Sequence, residues 1–169
     1  MSDWKEIKAE SIEKTPFELI GKDWMLITAQ KKDGSINTMT ASWGGLGVLW
    51  NKNVAFVVIR PQRYTKEFVD EAETLSLSFF DEEYKKQLGY LGKVSGRDED
   101  KIKNSGLTVA NNETAPYFAE AKTVLLCKKL FVQEMQKDAF LDEAIINNWY
   151  PGEDYHILYV AEIEKVLEK

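Results

Sequence analysis

The pattern of apolar and polar positions along this chain is mainly that of strands. In residues 38–43, apolar and hydroxyl side chains alternate strictly, which is the period of a half-buried strand. Residues 74–79 alternate in the same way, and their hydroxyls are predicted to face outward. Residues 54–59 contain no polar side chain, which favours a strand covered on both faces. Further strands are predicted at residues 24–30, 123–135 and 155–166.

Short helices are predicted between these strands, from the helical spacing of apolar residues. They lie at residues 65–72, 81–88, 98–106 and 138–150. Asp81 is expected to cap the second helix, and Gly89 or Gly92 to end it. Residues 107–121 combine short apolar pieces with a proline, and we expect them to be irregular.

The order of these elements favours an antiparallel β-barrel over a doubly wound sheet, because the strands cluster without a β-α-β rhythm. The predicted fold class is mainly β with inserted helices, an α+β barrel. Residues 1–14 are polar and are expected to form a loosely attached N-terminal extension, and residues 15–169 a single domain. Three glycines at positions 44, 45 and 47 precede a further strand instead of a helix, so they do not form a dinucleotide fingerprint.

Composition and charge narrow the possible functions. The chain has 169 residues, of which 44 % are hydrophobic and 12 % aromatic, and a formal net charge of −6. Such acidity argues against a nucleic-acid partner, because counterion release needs a basic face. One cysteine and one histidine exclude a disulfide framework and a zinc site of sulfur and imidazole ligands. No stretch resembles a secretory leader or a membrane span, so we expect a cytoplasmic protein that has no membrane partner.

Arginine is the rare basic residue of this chain, and its position predicts an anion site. Of 22 basic residues only Arg60, Arg63 and Arg97 are arginines. Arginine presents a planar fork that suits phosphate or carboxylate, and Thr65 is predicted to cap the helix that follows. A helix N-terminus beside two guanidinium groups can hold a phosphate. A second interpretation stays open, in which Arg60 and Arg63 form surface ion pairs with acidic side chains.

Four motifs occur in the order found in a known family. They are Met39-Thr-Ala-Ser-Trp-Gly44, Arg60-Pro-Gln-Arg-Tyr-Thr65, Ser95-Gly-Arg-Asp98 with Lys101, and His156-Ile-Leu-Tyr159 leading to Glu162-Ile163. In this combination the chain resembles the flavin reductase-like family of FMN-binding split barrels, over residues 15–165. The resemblance implies an antiparallel split β-barrel that binds FMN, uses NAD(P)H as co-substrate and forms a homodimer.

The same resemblance implies a role for each candidate residue. The ring and ribityl chain of FMN would lie along Thr40, Ala41, Ser42 and Trp43. Arg60, Arg63 and Thr65 would contact the phosphate or line the path by which it enters. A second loop would close the site with Ser95, Gly96, Arg97 and Lys101. In related reductases a histidine at the position of His156 lies near the nicotinamide site.

Two departures from the family pattern bear on nicotinamide binding. The Gly-Asp-His pattern is replaced by Gly152-Glu-Asp-Tyr-His156, and Ala161 stands where a glycine is expected. They leave two interpretations of His156 open, one as a residue adjacent to the cofactor and one as a structural residue of the strand.

The predicted activity is that of an NAD(P)H-dependent flavin reductase passing electrons to a flavin, a metal chelate or a protein acceptor. Hydride transfer to a flavin depends on positioning and exclusion of water more than on a protein acid or nucleophile. We therefore assign no catalytic residue and no metal ligand, and expect Cys127 to be buried and inert. Two alternatives are an FMN-binding electron carrier that does not oxidise nicotinamide, and a barrel without cofactor that serves as an interaction module.

Overall fold

The computed structural model describes residues 3–169, so the first two positions of the predicted extension lie outside the described residues. The strands are β1 (Lys5–Ile7), β2 (Met25–Gln30), β3 (Ile36–Ala41), β4 (Gly44–Leu49), β5 (Lys52–Ile59), β6 (Thr74–Phe79), β7 (Val109–Asn111), β8 (Pro116–Phe118), β9 (Thr123–Glu134) and β10 (Ile157–Glu168). The α-helices are α1 (Tyr64–Glu71), α2 (Lys85–Lys93), α3 (Lys101–Ser105) and α4 (Glu143–Trp149). Shorter helical segments lie at Ala9–Ser11, Phe17–Asp23, Glu82–Tyr84 and Lys137–Ala139.

One antiparallel sheet organises the chain. Its strands follow the order β3-β2-β6-β9-β10-β5-β4, and β1 pairs with the end of β10 that extends beyond β5. The β7-β8 pair forms a separate hairpin. The predicted antiparallel, mainly β fold with inserted helices is confirmed, as a split sheet and not a closed barrel. Only Ser42 and Trp43 connect β3 to β4, so the two outer strands of the sheet approach each other at these residues.

Two hydrophobic cores lie on opposite faces of this sheet. The larger one includes Met25, Ile27 and Phe68, and α1 covers it. The second includes Leu26 and Leu88 and lies beneath α2 and the β7-β8 hairpin. Strand β2 contributes to both cores, which explains why all of its side chains except Gln30 are buried and why four of the six are apolar.

The prediction that the hydroxyls of β6 face outward is wrong. Ser76 and Ser78 are fully buried, because the hairpin covers this face of the sheet and Ser76 Oγ donates to the carbonyl of Pro116 at 2.5 Å. Residues 107–121, expected to be irregular, contain that hairpin. The local sequence did not reveal this second layer.

Two glycines predicted to end α2 lie inside the helix instead. Gly89 and Gly92 both precede its last residue, Lys93. Gly92 has a packing role, because a Cβ atom there would come within 3.2 Å of Thr40 Cβ on β3. Helix and strand therefore approach more closely at this point than a larger residue would permit.

The N-terminal arm is attached more firmly than expected. Strand β1 pairs with residues 166–168 of β10. Trp4 packs edge-on against Tyr117 with ring centroids 5.7 Å apart. Ile7 and Ile12 pack against the larger core. These contacts tie the arm to the sheet.

The long strands β9 and β10 match their predicted extents closely. Strand β9 pairs on both sides over residues 123–128 and only with β10 over residues 129–134, as expected for a strand that leaves a core. Strand β5 was expected to be covered on both faces, and this is wrong for Phe56 and Val58, which are partly exposed. None of the helices in residues 3–169 has the length and hydrophobicity needed to cross a membrane.

Candidate functional site

Two adjoining cavities lie where the β3-β4 connection meets α1 and α2. The first, called here the aromatic cavity, has a volume of about 250 Å³ and is lined by Met39, Thr40, Ala41, Ser42, Trp43, Val58, Arg60, Arg63, Trp149 and His156. The second, the cationic cavity, has a volume of about 320 Å³ and is lined by Asn37, Met39, Arg60, Gln62, Arg63, Tyr64, Thr65, Lys93, Val94, Ser95 and Lys101. Met39, Arg60 and Arg63 line both cavities, so the two cavities adjoin and together make up the candidate space.

Nearly all of the residues singled out in the sequence line this space. Gly96 and Arg97 are the exceptions, since neither lines a cavity. Conversely, Asn37, Trp149 and Val58 also line these cavities and were not singled out as site residues in the sequence. Trp149 could have been noticed as an aromatic residue at the end of the predicted 138–150 helix.

Arg63 and Lys101 supply positive charge without an acidic partner. Arg63 donates to the carbonyl of Gly92 at 2.9 Å, and Lys101 Nζ donates to the carbonyls of Leu91 and Val94, each at 2.9 Å. Within residues 3–169, no carboxylate lies within ion-pairing distance of either side chain. The carbonyls belong to the C-terminal end of α2, the negative end of the helix dipole.

The pKa values of Arg63 and Lys101 are both lowered, as expected for buried cations that lack an acidic partner. Burial and, to a smaller extent, the nearby Arg63 together lower the pKa of Lys101 to about 8. Burial also lowers the pKa of Arg63, with a smaller effect from Arg60. An anion bound between the two side chains would relieve both penalties. The cationic cavity thus fits a phosphate or carboxylate.

The other two arginines form ion pairs within the chain. Arg60 contacts Asp154 at 2.9 Å and donates to the Trp149 carbonyl at 3.0 Å. Arg97 contacts Glu67 at 2.9 Å, and its guanidinium lies 4.6 Å from the Tyr64 ring centroid. Arg60 therefore ties the segment after β9 to the barrel, and Arg97 ties its loop to α1. Of the two interpretations left open in the sequence, the ion-pair interpretation is correct for Arg60. It is wrong for Arg63, which has no carboxylate partner among residues 3–169.

The hydroxyls of β3 and α1 are already engaged within the protein. Thr38 is fully buried and lies 2.9 Å from the Thr28 hydroxyl, and Thr40 donates to the Leu88 carbonyl at 2.5 Å. Both hydroxyls therefore already have hydrogen-bond partners within the protein. Thr65 is not the N-cap of α1, because Arg63 occupies that position. Thr65 instead accepts a hydrogen bond from Asn37 Nδ2 at 2.9 Å.

Gly96 lets the loop after α2 lie directly on β3. A Cβ atom at this position would overlap Asn37 Oδ1 and come within 3.2 Å of the Tyr64 ring. Asn37 cannot turn away without losing its hydrogen bond to Thr65. Glycine is thus required here by a close approach, which places Ser95 against the cationic cavity.

We expect Gly96→Ala to lower the free energy of unfolding by about 1–3 kcal/mol, the usual cost of overpacking a fitted site. Combining it with Asn37→Ala should recover part of this loss, because the second substitution removes the atom that the new methyl group meets. Urea denaturation of both single variants and the double variant measures the coupling. Strictly additive losses would contradict the proposed clash.

Aromatic rings form the other end of the space. Trp43 and Trp149 meet edge-on with centroids 5.0 Å apart, and the His156 ring centroid lies 5.2 Å from that of Trp43. Burial, with a smaller effect from Arg60, lowers the pKa of His156 to about 4, so its imidazole is neutral at physiological pH. This end suits a flat ring, while the opposite end suits an anion.

Comparison with known proteins agrees with this architecture. The family model "Flavin reductase like domain" matches residues 18–169. An FMN-binding domain of a flavin reductases-like enzyme from Shewanella baltica OS155 is 15 % identical, with a TM-score of 0.71 and coverage of 99 % of this chain and 78 % of that one. The corresponding values for flavoredoxin of Desulfovibrio vulgaris (Miyazaki F) are 21 %, 0.69, 96 % and 77 %.

A third similar structure is an FMN-binding protein from Thermus thermophilus with bound 1-cyclohex-2-enone, which is 21 % identical with a TM-score of 0.67 and coverage of 97 % of this chain and 77 % of that one. No match was found among the curated proteins. At such identities the structural likeness supports the shared fold.

Proposed function

This chain belongs to the flavin reductase-like domain family, and from that premise we propose that it is an FMN-binding oxidoreductase that takes electrons from NAD(P)H and passes them to a flavin, a metal chelate or a protein acceptor. One observation carries the proposal. Within residues 3–169, the partly buried Arg63 and the buried Lys101 have no acidic partner, and they line a cavity that adjoins an aromatic one. FMN has the matching shape, with an anionic phosphate and a flat ring.

The described residues fit FMN in kind. Arg63 and Lys101 would hold the phosphate, with Ser95 beside them. The ring would lie against Ala41, Ser42 and Trp43. Arg60 would act indirectly, by holding the Trp149 carbonyl and so the aromatic wall of the cavity.

When bound, FMN supplies the capacity to accept and release hydride and single electrons. The residues of the chain would bind the FMN, orient it and shield it from water. Trp43 and Trp149 would shield a ring bound in the aromatic cavity from water, and the neutral His156 can donate or accept a hydrogen bond there without adding charge. Cys127 takes no part, because it is fully buried and burial raises its pKa far above the physiological range.

The experiment that tests this function has two steps. Purified protein mixed with FMN should become yellow and retain the flavin through desalting. Anaerobic addition of NADH or NADPH should then bleach the flavin band within seconds. A yellow protein that neither nucleotide bleaches would support the electron carrier, and a protein that stays colourless would support the interaction module. Conjugated carbonyl compounds belong among the acceptors tested, since the Thermus thermophilus protein is described with bound cyclohexenone.

The dissociation constant of FMN should depend on pH through Lys101. Its pKa of about 8 in the free protein would rise when the phosphate binds, so affinity should be level below about pH 8 and fall above it, by at most about tenfold per pH unit. Fluorescence titration across pH 6.5–10 measures this dependence. Riboflavin and the variant Lys101→Met should show no such step, and an equal step for riboflavin would contradict the assignment.

We also propose that the protein is a homodimer and that it resides in the cytoplasm. Exposed apolar side chains on β4, in the β4-β5 turn and on β9 support a second copy as partner: Val48, Trp50, Phe131 and Val132 are all at least 39 % exposed, and the rings of Trp50 and Phe131 lie 6.1 Å apart. Sedimentation equilibrium should give twice the chain mass for the native protein and a weaker dimer for Trp50→Glu. A native monomer at micromolar concentration would overturn this proposal.

A further inference from the structure

His156, the only histidine of the chain, makes a hydrogen bond that the proposed function does not use. Its Nδ1 lies 2.6 Å from the hydroxyl oxygen of Tyr150. Tyr150 immediately follows α4, and His156 immediately precedes β10. Both side chains are buried, so the contact joins the end of the helix to the wall of the aromatic cavity.

The direction of this hydrogen bond follows from the acceptors that are available to the Tyr150 hydroxyl proton. Burial raises the pKa of Tyr150, so the hydroxyl keeps its proton at neutral pH. Among residues 3–169 the other acceptor within reach of that proton is Met135 Sδ at 3.9 Å, and a thioether is a much weaker acceptor than an imidazole nitrogen. The Arg60 guanidinium lies 5.0 Å from the Tyr150 ring centroid, and a cation over the ring makes the phenol a better donor.

The remaining nitrogen of the imidazole is open to the cavity. Within residues 3–169, His156 Nε2 has no hydrogen-bond partner, and it is not one of the side-chain atoms buried without a partner. Trp43 packs against the same ring and restricts its rotation. A neutral imidazole that accepts at Nδ1 must carry its hydrogen on Nε2.

We propose that Tyr150 is a positioning residue that fixes His156 as the Nε2–H tautomer, so that His156 presents a hydrogen-bond donor to an oxygen atom of the flat ligand in the aromatic cavity. The ligand class is one with a carbonyl or carboxamide oxygen beside an unsaturated ring. The tautomer stands on the protein alone, whereas the identity of the ligand rests on the proposed function.

Nitrogen-15 NMR tests the tautomer directly, because the chain has one histidine and its two ring nitrogens give separable signals. In the native protein Nδ1 should appear as the unprotonated nitrogen and Nε2 as the protonated one. The imidazolium should form only near pH 4. The charged groups that influence this titration are Arg60 and Asp154, with a smaller effect from Arg63. A protonated Nδ1, or an imidazolium at pH 7, would overturn the inference.

Tyr150→Phe keeps the ring and its contacts with Phe140 and Tyr155 and removes the hydroxyl alone. The two nitrogen shifts should then move toward each other, because the tautomers exchange once the bond is lost. Unchanged shifts would overturn the positioning role.

In the FMN-loaded protein, Tyr150→Phe should raise the KM for NADH by about two- to tenfold, the effect of one neutral hydrogen bond, with a smaller change in kcat. His156→Gln offers an N–H donor in place of the ring and should bind NADH more tightly than His156→Leu. Equal KM values for these two variants would overturn the donor role. If the native protein does not oxidise NADH, the reductase function fails, and the nitrogen shifts still decide the tautomer.

Discussion

Arg63→Ala is expected to weaken FMN binding by roughly one to two decades and to leave riboflavin affinity nearly unchanged. This change in affinity is the one expected from the loss of a charge-assisted hydrogen bond, which contributes about 1.5–3 kcal/mol. Arg63 is the guanidinium of the site that has no carboxylate partner within the described chain, and its bond to the Gly92 carbonyl leaves further N–H groups available. Fluorescence titration of both flavins measures the two affinities.

Arg97→Ala is the matched control, because it removes the same charge from a side chain that pairs with Glu67 and lines neither cavity. It should change FMN affinity by less than about threefold, the typical range of an exposed ion pair. If Arg63→Ala lowers the affinity for FMN and riboflavin equally, Arg63 supports the fold and not the phosphate.

Gly44→Ala should lower the free energy of unfolding by roughly 2–5 kcal/mol. Gly44 begins β4 with a φ of 136°, a conformation that is strained for any residue with a side chain. A Cβ atom there would also lie 2.5 Å from the Phe56 carbonyl oxygen on β5, and backbone cannot move aside as a side chain can. Urea denaturation should show a lower midpoint at an unchanged slope.

Gly89→Ala provides the control for that substitution. Gly89 lies inside α2, and a Cβ atom there would meet nothing within 4 Å. Alanine in a helix interior should stabilise the protein by roughly 0.5–1 kcal/mol. Equal stability of Gly44→Ala and the native protein would mean that β4 and β5 are not held together as closely as described.

The connection at Gly44 also bears on the site. Trp43 precedes it and contacts both Trp149 and His156. A shift of β4 away from β5 would therefore move an aromatic wall of the cavity. We expect the residual folded Gly44→Ala protein to bind both flavins less well, in contrast to the FMN-specific loss at Arg63.

Much of the fold followed from local patterns. The alternation in β3 and the apolar runs of β2 and β9 predicted their positions, because burial in a sheet imposes a period of two or a continuous apolar run. The prediction of which face of a strand is exposed to solvent was less successful. Ser76 and Ser78 were assigned to solvent, yet the β7-β8 hairpin covers them. Short-range patterns do not reveal a layer contributed by residues some 40 positions away along the chain.

Most residues of the candidate site could be predicted from the sequence, but the role of each residue could not. Two arginines three positions apart looked equivalent in the sequence, and their roles differ because Asp154, 94 positions after Arg60, pairs with it. The role of Lys101 depends on its burial and on its having no acidic partner among residues 3–169, and a local sequence pattern shows neither. Trp149 and Tyr150 were missed because their segment folds back over the cavity from the end of β9.

The location of the FMN phosphate tests the account most directly, and a crystal structure of the protein grown with FMN measures it. The account predicts phosphate oxygens within about 2.7–3.2 Å of the Arg63 guanidinium and of Lys101 Nζ, with the ring beside Trp43 and Ser42. A phosphate bound away from both cations, or cavities that contain no flavin at saturating FMN, would contradict it.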